Sequence, residues 1–143
     1  MLLAEPTRTI HDWVLGRLRS VVGSRARLVI VSEDWVDEVA ESGRKSDLDW
    51  GLVTRTALSS VDSLQTHRVV LGFSLIGLWS GSHRNLEWTD RQVRQVYGIQ
   101  RALLTECWPE GVDFVTSGQA TSTDITGLVA WEIPFDVTCA AEG

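Results

Sequence analysis

Lysine is scarce in this chain of 143 residues. Lys45 is the only lysine, and we interpret the arginines that replace it mainly as a bias toward GC-rich codons. The formal net charge is −6. Proteins that bind nucleic acid without sequence preference depend on Lys and Arg contacts to phosphates, so the acidic balance argues against that class.

Cysteine is also rare, with only Cys107 and Cys139 present. Two cysteines this far apart give neither a disulfide framework nor a CxxC metal site, and we expect both thiols to be buried. No stretch approaches the ~20 apolar residues of a membrane span. The first residues lack the basic and apolar regions of a signal peptide, so we expect synthesis in the cytoplasm and no membrane contact.

Motifs that carry chemistry are missing as well. The histidines His11, His67 and His83 are scattered, and the sequence contains no HExxH, no glycine-rich phosphate loop and no GxSxG elbow. A Cys/His catalytic pair is disfavoured because both cysteines lie in apolar runs that would not lower a thiol pKa. The acidic segment between Glu33 and Glu41 lacks the spacing of a calcium loop and is better interpreted as solvated surface. We therefore expect no catalytic residue, no metal and no cofactor.

What is present is typical of a folded domain, with 43% hydrophobic and 22% charged residues. Periodicity predicts two helices, one over 10–22 that ends at Gly23 and one from Thr89 to Cys107. It also predicts a strand over 27–31 and two long strands over 52–58 and 67–79. A hairpin of strands 112–115 and 128–138 completes the predicted elements. The second helix is expected to begin with a capping box formed by Thr89 and Gln92. The polar stretch 42–47 is the best candidate for a mobile tip, and 117–126 is expected to be a polar connection.

These elements predict one α+β domain over 1–143, with a mixed or antiparallel sheet of about four to five strands packed with two main helices. The strand over 67–79 is apolar on both faces, so we expect it to be central. Pro134 lacks an N–H group, so the last strand is expected to be an edge or to carry a bulge there.

The order and length of the elements resemble the tail terminator proteins of long-tailed bacteriophages, also called tail completion or minor tail proteins. The matching pieces are Ile10–Val22, Leu28–Val31, Arg68–Trp79, Asp90–Cys107 and Leu128–Thr138. The resemblance implies a virion protein made in the bacterial host, with six copies forming a ring at the head-proximal end of the tail tube. Such a ring ends tube polymerisation and joins the tube to the head–tail connector. DNA passes through its lumen, where an acidic subunit would not retain it.

A ring needs interface residues, and tryptophan and arginine are the types enriched there. Our candidates are Trp50, Trp79 and Trp131, each of which is equally compatible with the core, together with Arg91 and Arg94, which are otherwise solvated. Two alternatives stay open. One is a different head–tail connector or tail-tube component. The other is a small bacterial enzyme or ligand-binding domain with an apolar pocket.

Overall fold

The computed structural model describes residues 2–42, 49–61, 63, 65–80, 85–105, 107–125 and 127–142. Within these ranges it contains three helices and six strands, in the order α1 Pro6–Val22, β1 Arg27–Ile30, α2 Trp35–Ser42, β2 Asp49–Val61, β3 Thr66–Ser80, α3 Leu86–Leu104, β4 Val112–Ser117, β5 Thr121–Ile125 and β6 Leu128–Glu142. The predicted α+β domain with two main helices and a mixed sheet is confirmed, and the sheet has six strands. The predicted mobile tip falls mostly on 43–48, which lie outside the described residues.

The sheet is built around β3. Its strand order is β1-β2-β3-β6-β4, and β5 pairs with β6 beside β4. Only β1 and β2 run parallel, and β3 pairs antiparallel with β2 on one side and along its whole length with β6 on the other. The prediction that this strand is central is therefore confirmed.

Helices α1 and α3 cover one face of the sheet. Alternate residues of β3 point to this face, as the two-residue period of a strand requires, and they meet the apolar sides of the two helices. The rings of Phe73 and Phe135 stack here with centroids 5.4 Å apart. The core residues of the helices are Ile10, Val14 and Leu18 of α1 and Val96, Ile99 and Leu103 of α3.

Helix α2 covers part of the opposite face. Val36 packs there against Ile76 and Leu78 in a second, smaller cluster. The Trp35 ring lies so close over Gly51 that a Cβ atom at this glycine would be 2.7 Å from two ring carbons. This segment was predicted to be acidic surface and its helix was missed, because eight residues give only about two turns of apolar period.

The predicted start of α3 was wrong. The helix begins at Leu86, and the side chain of Asn85 caps it by accepting a hydrogen bond from the Trp88 backbone N–H at 2.9 Å. Thr89 lies within the first turn, where its hydroxyl bonds back to the Asn85 carbonyl. Gln92 is buried rather than folded back onto a cap. Asparagine caps helices as well as threonine does, so the sequence contained two competing start signals four residues apart.

The prediction that β6 is an edge strand or carries a bulge at Pro134 was also wrong. β6 lies inside the sheet, paired with β3 on one side and with β4 and β5 on the other. Pro134 sits where β4 ends and β5 begins, and its carbonyl accepts a hydrogen bond from Gly118 at 2.9 Å. The N and C=O of one residue point to the same side of an antiparallel strand, so the missing N–H faces this break between partners. The sheet therefore loses no ladder bond to β3.

Candidate functional site

Two of the predicted interface tryptophans form a pair at one end of the sheet. The rings of Trp50 on β2 and Trp79 on β3 meet edge to face, with centroids 5.3 Å apart and planes at 88°. Trp50 is only 4% exposed and belongs to the main core, whereas Trp79 is half-buried at its border. Gly77 allows the approach, since a Cβ atom there would lie 2.4 Å from Cζ3 of Trp50. Trp50 thus supplies packing within the chain.

The third tryptophan, Trp131 on β6, is held by α3. Its indole Nε1 donates to Oε1 of Gln92 at 2.9 Å. Gln92 is 3% exposed, and its Nε2 has no hydrogen-bond partner among the described residues. The indole can only donate, so it fixes the amide oxygen as the acceptor and leaves the amide nitrogen unpaired. An unsatisfied buried donor costs on the order of 1–3 kcal/mol. Gln92 was predicted to form a capping box with Thr89, so its hydrogen bond with Trp131 was not foreseen.

A cleft runs along α3 beside this amide. It has a volume of about 260 Å³ and is lined by Trp79, Trp88, Arg91, Gln92 and Gln95. A second cleft of about 240 Å³ shares Trp79 and Gln95 with it and continues to Trp50. Aromatic walls and amide groups can hold a planar or carbonyl-bearing group. Among the described residues, no three His, Cys, Asp or Glu side chains lie close enough to hold a metal ion.

The solvent side of α3 carries a second apolar stripe, distinct from the one in the core. Its members are Leu86, Val93, Tyr97 and Leu104, each between 44% and 85% exposed. Their spacings of seven, four and seven residues place all four within roughly 40° of arc at 3.6 residues per turn.

Three arginines are exposed on the same helix. Arg91, Arg94 and Arg101 form no ion pair within the described part of the chain. Arg94 and Arg101 lie within roughly 80° of the stripe around the helix axis, whereas Arg91 lies roughly 140° away and lines the cleft. The guanidinium of Arg94 makes only a long contact of 3.4 Å to the Asp90 carbonyl. We name the stripe together with Arg94 and Arg101 the α3 face. The two predicted arginines are therefore both exposed on one helix, whereas Trp50 and Trp131 are tied into the fold.

The opposite side of the sheet is acidic. Asp34, Asp37, Glu38 and Glu41 are all exposed on or just before α2, and we name them the α2 face. Glu33, which precedes these residues, forms an ion pair. Arg55 lies 2.6 Å from Glu33 and 2.7 Å from Glu132. Partial burial would lower the pKa of Arg55, but its hydrogen bonds to Glu132 and Glu33 outweigh burial and raise it. This cluster fixes the start of α2 to the sheet.

The far half of β2 is exposed, although Val69 and Leu71 of the β3 strand paired with it are buried in the core. Every β2 residue from Thr54 to Val61 is exposed, with Leu58 and Val61 at 68% and 80%. β1 pairs with β2 only as far as Leu52, so no described strand covers the outer edge of β2 beyond it. This leaves a row of backbone N–H and C=O groups available for pairing.

The two cysteines differ in environment. Cys139 is fully buried on β6, where burial, followed by the nearby charge of Asp113, raises the pKa of its thiol. Cys107 is exposed, so the prediction of two buried thiols was wrong for this residue. It follows α3 with a φ of 103°, a conformation that favours glycine.

None of the helices in the described ranges is long and apolar enough to cross a membrane. No protein-family model matches this sequence, and no curated protein shows significant similarity to it.

Proposed function

We propose that this chain is a structural virion protein that assembles with copies of itself into a ring at the head-proximal end of a phage tail tube. The ring ends tube polymerisation and joins the tube to the head connector, and DNA passes through its lumen. The observation that carries the proposal is the outer edge of β2, which no described strand covers from Val53 to Val61.

Free edges of this length are unusual in a protein that acts alone. Soluble proteins protect edge strands by shortness, charged side chains, proline or bulges. β2 has a bulge near Arg55, but the six residues from Thr56 to Val61 contain no charge and no proline. Such an edge favours pairing with a strand of another molecule.

The sheet also offers a second edge on its far side, where β4 and β5 have no further strand partner among the described elements. Edges on opposite sides of one subunit support a head-to-tail contact, in which one surface meets a different surface on the next copy. Contacts of this kind close into rings when the rotation between copies divides a full turn.

The test is the native mass by light scattering over a concentration series, with and without the tail-tube protein from the same genome. We expect a ring of about six copies, formed alone or on the end of the tube, and electron microscopy should show tubes of fixed length capped by it. A protein that stays monomeric at every concentration and does not bind the tube overturns the proposal.

An edge variant makes the test specific. Leu58→Lys places a positive charge on an exposed edge side chain and should prevent assembly without unfolding the monomer. Ser24→Lys adds the same charge to an exposed turn after α1 and serves as the matched control. Equal assembly of the two variants would show that the β2 edge is not involved.

A second function is favoured by one observation: the buried Nε2 of Gln92, beside the tryptophan-lined cleft, has no hydrogen-bond partner in the described ranges. A ligand-binding domain would use this amide to donate to a carbonyl or carboxylate of a small molecule. The check is a thermal-shift screen with small carboxylates. A compound that raises the melting temperature of the wild type, and fails to do so for Trp88→Ala, would support this function.

A further inference from the structure

We infer that the cleft along α3 binds a small aromatic carboxylate, with Arg91 pairing with its charge and the Gln92 amide donating to one of its oxygens. The inference rests on the second function proposed above, ligand binding, and names the class of ligand. It does not depend on the ring, because the described residues that line the cleft belong to β3 and α3 and not to the outer edge of β2. Its basis is an amide of fixed orientation, a nearby arginine and two indole walls.

The fold determines which end of the Gln92 amide is left for a ligand. A glutamine amide can present its oxygen or its nitrogen, and the surrounding hydrogen bonds decide between the two. The indole N–H of Trp131 holds Oε1 at 2.9 Å, and Trp131 does not line the cleft. The buried Nε2, for which the described ranges supply no acceptor, is therefore the end that remains on the cleft side. A ligand oxygen would satisfy this donor, which otherwise stays unpaired in the interior.

The charge on the cleft comes from Arg91. Its side chain is exposed, lines the cleft and forms no ion pair with the described residues, so its guanidinium can turn toward a bound anion. Glu87 and Asp90 are the acidic residues of α3, and neither of them lines the cleft. A guanidinium holds a carboxylate through two parallel charge-assisted hydrogen bonds, which a neutral amide or alcohol does not match. The polar groups therefore select a carboxylate.

The size and the walls of the cleft select the rest of the ligand. Its volume of about 260 Å³ lies below the range of about 300–1,000 Å³ that is typical of pockets for drug-sized molecules, so the ligand is small. The half-buried indoles of Trp79 on β3 and Trp88 on α3 supply two of its walls. Aromatic rings that pack edge to face or offset on an indole gain more than their buried area alone provides. A single aromatic ring that carries a carboxylate matches this lining.

The experiment is a titration of the isotope-labelled full chain with benzoate, followed through the indole N–H signals in nuclear magnetic resonance spectra. Benzamide has the same ring without the charge, and cyclohexanecarboxylate has the charge without the aromatic ring. We expect benzoate to shift the signals of Trp79, Trp88 and Trp131. We expect each of the other two compounds to bind roughly fivefold more weakly or less.

Two variants separate the charge from the orientation of the amide. Arg91→Gln should weaken the binding of benzoate by roughly tenfold and leave that of benzamide unchanged, because only benzoate uses the charge. Arg94→Gln is the matched control, since Arg94 is exposed on the same helix but does not line the cleft. Trp131→Phe removes the N–H that holds the Gln92 amide, so the amide can turn over and present its oxygen. This variant should bind benzoate more weakly and benzamide, which has an NH₂ donor, no more weakly than the wild type does.

A preference for benzoate that falls in Arg91→Gln and in Trp131→Phe, and persists in Arg94→Gln, supports the inference. If Trp131→Phe does not fold, the comparison of Arg91→Gln with Arg94→Gln decides alone. Equal binding of benzoate and cyclohexanecarboxylate overturns the inference, as does an Arg91→Gln variant that binds benzoate as the wild type does, and in both cases ligand binding itself still stands. If neither this titration nor the thermal-shift screen finds a carboxylate that binds, the inference and the second function both fall.

Discussion

The substitution Gly77→Ala tests the packing of the tryptophan pair at the end of the sheet. A Cβ atom at this position would lie 2.4 and 2.6 Å from two ring carbons of Trp50 and 2.8 Å from Cη2 of Trp79. Ordinary contacts between carbon atoms lie near 3.5–4.0 Å, so at least one ring must move by roughly 1 Å. The edge-to-face geometry of the pair cannot survive this shift unchanged.

The expected change in the free energy of unfolding is the sum of opposing contributions. Overpacking of a core costs about 1–3 kcal/mol, and loss of the aromatic geometry adds about 0.5–1.5 kcal/mol. Replacing glycine by alanine within a strand stabilises the folded state by about 0.5–1 kcal/mol. The cleft of about 240 Å³ beside Trp50 and Trp79 gives the rings space to move. The overpacking cost should therefore be near the lower value of about 1 kcal/mol. We therefore expect a loss of about 1 kcal/mol, or roughly 2–4 °C in melting temperature.

The assay is urea unfolding followed by far-ultraviolet circular dichroism, with the near-ultraviolet spectrum as a report on the tryptophans. Gly16→Ala is the matched control, because Gly16 is exposed on α1 and nothing lies within 4 Å of an added Cβ atom. We expect it to stabilise the protein by about 0.5–1 kcal/mol. If Gly77→Ala were as stable as this control and kept the near-ultraviolet spectrum of the wild type, the packing of Trp50 against Gly77 would be refuted.

Further tests concern single side chains. Arg55→Met should lower the free energy of unfolding by about 1–2 kcal/mol in urea titrations, because Glu132 and Ser74 lose a charged partner; an unchanged midpoint would show that the cluster contributes nothing. In the native protein a thiol reagent should label Cys107 and spare Cys139, with two equivalents labelled after unfolding. Because burial raises the Cys139 pKa above its ordinary 9.0, the stability it contributes is complete below pH 9 and falls at higher pH; Cys139→Ala should remove that part of the alkaline decline. Cys107→Gly should raise stability by about 0.5–1 kcal/mol by relieving the positive φ, and a lower melting temperature would contradict this.

The fold was largely predictable where apolar periodicity extends over many residues. β3 was predicted as a long central strand because both of its faces are apolar over more than ten residues, and the structure buries both. α1 and α3 were likewise predicted from stripes of three or more turns. The elements that were missed, α2 and β5, are short and mostly polar, so their periodicity covers only a few residues.

The order of strands could not be read from local patterns. Pro134 is unfavourable inside a sheet, yet β6 is interior because β4 and β5 share its outer side and leave a break at this residue. This arrangement depends on where two other strands end, which is tertiary information. The inference that Pro134 contributes no N–H group to the sheet was correct. The inference that the whole of β6 is therefore an edge strand was wrong.

The candidate surfaces were predicted in part. Tryptophan is common both in cores and at interfaces, so its count did not separate Trp50, which is buried, from Trp79 at the border of a cleft. Arg91 and Arg94 were identified as solvated charges, but the exposed apolar stripe on the same helix was not predicted. A helix with two apolar sides needs tertiary contacts to show which side the chain itself covers.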